Sequence, residues 1–325
     1  ILARHFRNDK LRTVMSFHPL LIGGNPFDVT AAYALINALE RNWGVHSALG
    51  GTGAIVTGMV KLLAERGVAV RCRAPVTRIC IEGGRAVGVQ LESGERIDAD
   101  IVVSNGDTAW TYKNLVPAEH RRVWTDRKIA HGKYSMGLFV WYFGTSRRWD
   151  EVPHHMMVLG PRYQGLLHDI FKRQHLADDF SLYLHRPSAS DPSVAPAGCD
   201  TFYALSPVPH LDSGTDWAQM AETYRERIAQ ALEASVLPGL RQHIVCSQVR
   251  TPQTFHDRLW SFKGAGFGLE PLLTQSAWFR PHNRSEDIPN LFLVGASTQP
   301  GAGVPSVLMS AKMLEQVVPH ALTVY

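Results

Sequence analysis

The sequence predicts an α/β protein in which a broad, mostly antiparallel sheet accompanies a smaller group of strands and flanking helices. Three observations predict it. Apolar residues recur at helical spacing over 28–41 and 53–66. Short runs of β-branched and aromatic residues, divided by turn signals, fill Val68 to Val103 and Tyr134 to Ser206. Near the end a buried-type strand, Leu291–Val294, passes through glycines into a last helix at about Val304–Val318.

The opening residues, with Leu2 and Phe6 on one side, read as the middle of a helix. With no initiator Met and no signal peptide, they imply a fragment of a longer protein. Asp28 is placed to cap the 28–41 helix, whose stripe is Ala32, Leu35, Ile36 and Leu39. Val56, Met59, Val60 and Leu63 line the next helix, and Gly67 suits its C-terminus. Strands are expected at Val68–Cys72, Val76–Glu82, Arg85–Leu91 and Ile101–Val103, as a meander closed by the last of them. Tyr134–Phe143, Phe180–Arg186 and Thr201–Ser206 supply the broad sheet. Within Tyr134–Phe143 one face is expected to be core, either Phe139, Trp141 and Phe143 or Met136, Leu138, Val140 and Tyr142. A helix at 217–234 presents Met220, Tyr224, Ile228 and Leu232 on one face, and Pro252 opens another. The Pro-, Ser- and Asp-rich loop 187–200 is the expected mobile segment.

Composition narrows the function. The chain has 325 residues, 45% of them hydrophobic and 19% charged, which excludes disorder and allows two domains. The formal charge of +4 is spread along the chain, which argues against nucleic acid and is compatible with an anionic membrane surface. No apolar run is long enough for a transmembrane helix. The four cysteines form no CxxC pair or Cys/His cluster, so no metal site is expected, and a reducing cytosol suits them. Cys72 and Cys80, in apolar runs, read as small core residues.

The segment that carries chemistry is Asn290–Ser306. A buried strand enters a turn with Gly295, Gly301 and Gly303, and Pro305 suits the first turn of the helix that follows. Free N–H groups and the positive end of the helix dipole hold phosphate or an electron-rich ring there. No following strand completes a βαβ unit, so this reads as a second cofactor contact rather than a primary dinucleotide fold. Gly50-Gly51-Thr52-Gly53 precedes a helix without an apolar strand before it. Gly264-Ala265-Gly266-Phe267-Gly268 reads as structural turns.

Leu291–Lys312 resembles the C-terminal signature of bacterial-type phytoene desaturases. Ser16–Pro26, Phe180–His185 with Ala204–His210, and Leu273–Asn283 resemble the same family in the same order. That family is similar in fold to flavin amine oxidases. The resemblance implies a Rossmann-like FAD-binding domain, incomplete here because its N-terminal GxGxxG unit is missing, plus a substrate domain. Residues 49–107 and 286–325 would belong to the first, and 1–48 and 108–285 to the second. It further implies that Gly50 and Gly51 approach the flavin, that Val76 touches the adenosine part, and that Asn105 ends a strand of the FAD domain. Gly295, Ala296, Gly303, Val304 and Pro305 would cover the ribityl chain and the flavin pyrimidine edge. Ala296 stands where the broader superfamily often has an acidic residue, which leaves that contact to backbone groups.

The implied reaction is desaturation of phytoene toward neurosporene- or lycopene-type carotenes, with electrons leaving FAD for oxygen or a quinone. The implied location is the cytoplasmic side of the cell membrane, as a peripheral protein. His18, His185 and Arg280 are polar residues in family-like runs where a proton acceptor is needed, and no catalytic residue is assigned. The alternatives are a desaturase or isomerase acting on another carotenoid, and a non-catalytic prenyl or lipid escort of the same fold.

Overall fold

The computed structural model describes residues 2–319. Its strands are β1 (Val76–Glu82), β2 (Arg85–Leu91), β3 (Arg96–Asp98), β4 (Val102–Ser104), β5 (Gly137–Thr145), β6 (His155–Val158), β7 (Leu182–His185), β8 (Asp200–Val208), β9 (Ile244–Arg250) and β10 (Leu291–Leu293). The longer helices are α1 (Asp9–Ser16), α2 (Ala34–Trp43), α3 (Thr52–Glu65), α4 (Trp217–Ser235), α5 (Pro252–Leu259) and α6 (Val304–Val317). Two compact units divide them. The first holds residues up to Leu39, Cys72–Met136 and residues from Phe255 onward, and the second holds Glu40–Arg71 and Gly137–Thr254.

In the first unit β1, β2 and β3 form an antiparallel meander. β4 does not close it, as the sequence suggested, but pairs in parallel with β10. Arg96-Ile97-Asp98 takes the third place in the meander, because two charged residues flanking one apolar residue suit a half-exposed edge. The apolar Val102-Val103 is thereby left for the fully buried Leu291–Leu293. Ile79, Val102, Tyr112, Trp124, Ile129, Leu291 and Leu293 pack into one core. The Asp287 carboxylate accepts the backbone N–H groups of Arg122, Val123 and Trp124 at 2.8, 2.7 and 2.9 Å, which fixes the loop over that core.

Val68–Cys72 is not a strand, and Cys72 is exposed rather than core. Gly67 ends α3 at φ 69° and Arg73 sits at φ 54°, so the run between them is bracketed by left-handed turns. Cys80 is partly buried. The apolar stripe of α3 is real, yet Val56, Met59 and Val60 are exposed among the described residues.

The second unit is a five-stranded antiparallel sheet in the order β6-β7-β8-β5-β9. Alternation along β8 is strict, with even-numbered residues buried and odd-numbered ones half-buried. The undecided face of β5 resolves accordingly. Phe139, Trp141 and Phe143 join the core under α4, where Phe139 meets Tyr224 edge-on at 4.9 Å. Leu138 and Val140 are buried too, and Tyr142 is 45% exposed on the opposite face. Of the α4 stripe, Tyr224, Ile228 and Leu232 are fully buried.

The loop 187–200 is pinned rather than loose. Ser188 and Asp191 are buried within it, and Ser188 donates to Asp200 at 2.8 Å. Its polar side chains hydrogen-bond inward, which composition alone does not reveal.

Candidate functional site

Parallel pairing of β4 with β10 sets Val102 beside Leu291 and Ser104 beside Leu293. Both strands therefore end together, and Asn105 and Gly295 emerge side by side at their carboxyl ends. In open α/β sheets that crevice is where ligands bind. Gly295 has φ 106°, and a Cβ there would lie 2.7 Å from Asn105 Oδ1. Glycine suits this positive φ and leaves room for the Asn105 side chain. The Gly295 N–H donates to Ser310 Oγ at 2.9 Å, which ties the strand end to α6.

Gly303 is the N-cap of α6, with φ 100° and no side-chain cap for the helix N–H groups. A Cβ at Gly303 would meet no protein atom within 4 Å, so the space in front of the helix start is open. Val304 is exposed and Pro305 lies in the first turn. These groups offer an electronegative ligand donors, a helix dipole and no steric obstacle. The same turn borders an apolar groove of about 660 Å³ that includes Ile22, Tyr33, Leu35, Ile36, Trp278, Phe279, Gly301 and Met313.

Arg280 holds the turn in place. It is 4% exposed and donates to four backbone carbonyls: Thr298 O at 3.0 Å, Leu269 O at 3.3 Å, Phe267 O at 3.3 Å and Ala296 O at 2.6 Å. Burial lowers its pKa to about 10, so it stays charged at neutral pH. An always-charged guanidinium that spends its donors on carbonyls is a clamp and not a proton acceptor. Asp107, half-buried, is its counter-charge. Its Oδ1 accepts the Trp110 N–H at 3.0 Å, and burial raises its carboxyl pKa to about 6 against the pull of those N–H groups and of Arg280. Ser297 Oγ joins the two loops by accepting the Thr108 N–H at 2.8 Å.

The Asp107 shift has a testable sign. A carboxyl whose folded pKa exceeds its unfolded value binds more protons when folded. Its contribution is full below about pH 4 and is lost as pH rises to about 6. Asp107→Asn keeps the Oδ1 acceptor and removes the charge. It is expected to flatten the fall in stability across that window, on the order of 2–3 kcal/mol before relaxation. Urea midpoints at pH 4, 5, 6 and 7 check this. A slope unchanged by the substitution would assign the titration elsewhere.

The other expected residues fall as follows. Val76 opens β1 against the first core. Ala296 offers its carbonyl to Arg280. Gly50 and Gly51 lie in the second unit, both at φ 80°. The Gly50 N–H donates to Asp191 Oδ2 at 2.6 Å, whereas Gly51 caps α3 with nothing within 4 Å of a Cβ. His18 is buried and stacked on Phe17 at 4.4 Å. His185 joins a histidine cluster in the second unit. Sequence reasoning did not foresee the clamp or Asp107. The only signal was an arginine between Phe279 and Pro281 with no partner nearby in the chain.

Parallel strand ends, an open helix start and glycines in place of side chains suit a nucleotide-type ligand in an α/β protein. Residues 2–313 match the flavin containing amine oxidoreductase family, and the chain belongs to it. The cofactor of that family is a flavin, FAD, which the open glycine at the start of α6 and its uncapped helix N–H groups fit. The chain is 51% identical to a neurosporene-forming phytoene desaturase of Cereibacter sphaeroides, over 98% of this chain and 62% of that protein. It is 49% identical to a lycopene-forming phytoene desaturase of Pseudescherichia vulneris, over 95% of this chain and 63% of that protein. The chain thus spans less than two thirds of these relatives. Among solved structures, an oxidoreductase from Methanosarcina mazei shares the fold with a TM-score of 0.68 at 17% identity, covering 97% of this chain and 66% of the other. A redesigned putrescine oxidase shares it with a TM-score of 0.61 at 12% identity, covering 98% and 66%.

Proposed function

We propose that this chain is the larger part of an FAD-dependent phytoene desaturase. The observation that carries the proposal is the glycine crevice at the ends of β4 and β10, opening beside an apolar groove. The half-identical relatives named as phytoene desaturases support it. When bound, FAD would supply the acceptor for the hydride that leaves an allylic carbon, as the neighbouring carbon loses a proton to a base or to water.

The residues of the chain do the rest. Asn105, Gly295, Ala296, Gly303, Val304 and Pro305 hold the cofactor through backbone groups, and Val76 is proposed to complete its cradle. Residues 49–107 and 286–325 serve the cofactor, and 1–48 and 108–285 serve the substrate. A hydrocarbon offers no polar handle, so binding energy comes from apolar burial, at roughly 25 cal/mol per Å² removed from water. Leu35, Ile36, Trp278 and Phe279 supply such surface in the groove. Arg280 keeps the turn rigid while the groove excludes water.

Oxygen or a quinone is the proposed electron acceptor. Among the described residues no helix is long and apolar enough to cross a membrane. We place the protein peripherally on the cytoplasmic face of the membrane, because its substrate dissolves only in lipid.

The test is incubation of the full-length protein with FAD and phytoene in liposomes, with and without a quinone. The expected result is red-shifted carotenes, with the protein floating with the vesicles. Unchanged phytoene despite bound FAD would overturn the desaturase reading. Isomerised phytoene without new double bonds would assign the isomerase instead.

A further inference from the structure

We infer that His154, His155 and His185 form a binding site for one divalent late transition-metal ion, with Zn²⁺ as its natural occupant. One ring nitrogen from each of the three lies within 4.8 Å of the others. Spacing within the sequence conceals this, because the site is built by strand pairing.

In the β6–β7 register His155 stands directly opposite His185. Directly opposed residues bring their Cβ atoms to about 4.5–5.5 Å. His154 comes just before β6, and its carbonyl accepts the Arg186 N–H at 2.9 Å. Consecutive residues of a regular strand point to opposite faces. His154 lies outside the strand in a bend, and its ring therefore comes round to the same side as its neighbour. The rings sit 4.4 Å apart for His154 and His155, 4.7 Å for His154 and His185, and 5.2 Å for His155 and His185. All three occupy the face of the sheet opposite the α4 core.

The chemistry of the donor set selects the ion. Nε2 of His154 and Nε2 of His185 face each other at 2.8 Å. Three imidazoles with a further open position suit Zn²⁺, Co²⁺, Ni²⁺ or Cu²⁺, and are too soft for Mg²⁺ or Ca²⁺. His154 Nδ1 bonds Ser190 Oγ at 2.5 Å, and His155 Nδ1 bonds the Tyr183 hydroxyl at 2.5 Å. Such partners fix ring orientation around a metal. Glu40 adds negative charge near His155. Cysteine takes no part, and this is why a search for Cys/His spacing does not find the site.

The experiment uses untagged full-length protein, stripped with a chelator and titrated with Co²⁺ and then Zn²⁺. The proposal expects one equivalent of Co²⁺ with the intense visible absorption of a low-coordinate site, displaced by Zn²⁺. His155→Gln, at an exposed position, and His185→Ala should each abolish that absorption. Ser190→Ala should weaken Zn²⁺ binding about 10-fold. Far-UV circular dichroism identifies any variant that fails to fold, and His155→Gln then carries the test. No Co²⁺ absorption in the wild-type protein, or absorption unaltered in folded His155→Gln, would overturn the site and leave a hydrogen-bonded histidine cluster only. Flavin content, read at its own absorption band, does not enter this result.

Discussion

Arg280→Met is expected to destabilise the first unit by about 3–5 kcal/mol, the range seen when one partner of a buried charge network is removed. Methionine fills much of the volume but donates nothing. The carbonyls of Phe267, Leu269, Ala296 and Thr298 then lose a shared donor in a buried place. Each unsatisfied carbonyl costs roughly 1–3 kcal/mol, less after the loops relax. Asp107 also loses its counter-charge. Arg280→Lys should recover only part, because an ammonium cannot span four acceptors that a planar fork reaches. Urea unfolding monitored by tryptophan fluorescence measures both. Wild-type stability in Arg280→Met would show that the clamp holds nothing.

Asp200→Asn is expected to cost the second unit a comparable 3–5 kcal/mol. Asp200 is fully buried. Its carboxylate accepts Arg186 Nε at 2.9 Å, the Trp149 N–H at 2.9 Å and Ser188 Oγ at 2.8 Å. Three donors converge on two oxygens, and the amide presents a fourth donor to them while leaving Arg186 undercompensated. Arg186 is 2% exposed and keeps the Val152 carbonyl at 2.8 Å and the exposed Asp150 at 3.1 Å. Those contacts hold the loss to the lower part of the range. An Arg186→Met, Asp200→Leu double variant should be more stable than Asp200→Asn, because it removes both buried charges. The same measurement reads it, and additive losses would argue against coupling.

What the sequence reveals follows from how local each feature is. β1 and β2 are legible because alternating residues and the Gly83-Gly84 turn lie in one stretch. The strand, glycine turn and helix from Leu291 to Val317 are legible for the same reason. Gly295 and Gly303 could be singled out before any contact was known. Their partners could not. β4 meets β10 across most of the chain, and nothing in Val102-Val103 names that partner. β9, Ile244–Arg250, goes unforeseen because its mixed residues suit an edge position beside β5 rather than an alternating pattern. Arg280 and Asp107 belong to separate loops, and the three histidines to two strands and a bend. Chemistry assembled across such separations has no local signature.

If a cofactor occupies the space before α6, Gly303→Ala in the full-length protein will obstruct it. A Cβ there touches no protein atom, so any packing loss is small. The backbone strain of φ 100° and ψ 142° costs on the order of 1–3 kcal/mol. Gly94→Ala also places a Cβ on a positive-φ residue, at φ 86° with nothing near it, in the turn between β2 and β3. The measurement is bound FAD per protein, with the affinity of the stripped protein for added FAD. Gly303→Ala is expected to bind FAD at least about tenfold more weakly, a loss of about 1.4 kcal/mol or more, while Gly94→Ala binds as the wild type does. Full FAD binding in Gly303→Ala would contradict it, and would mean that the space before α6 is not where the cofactor lies.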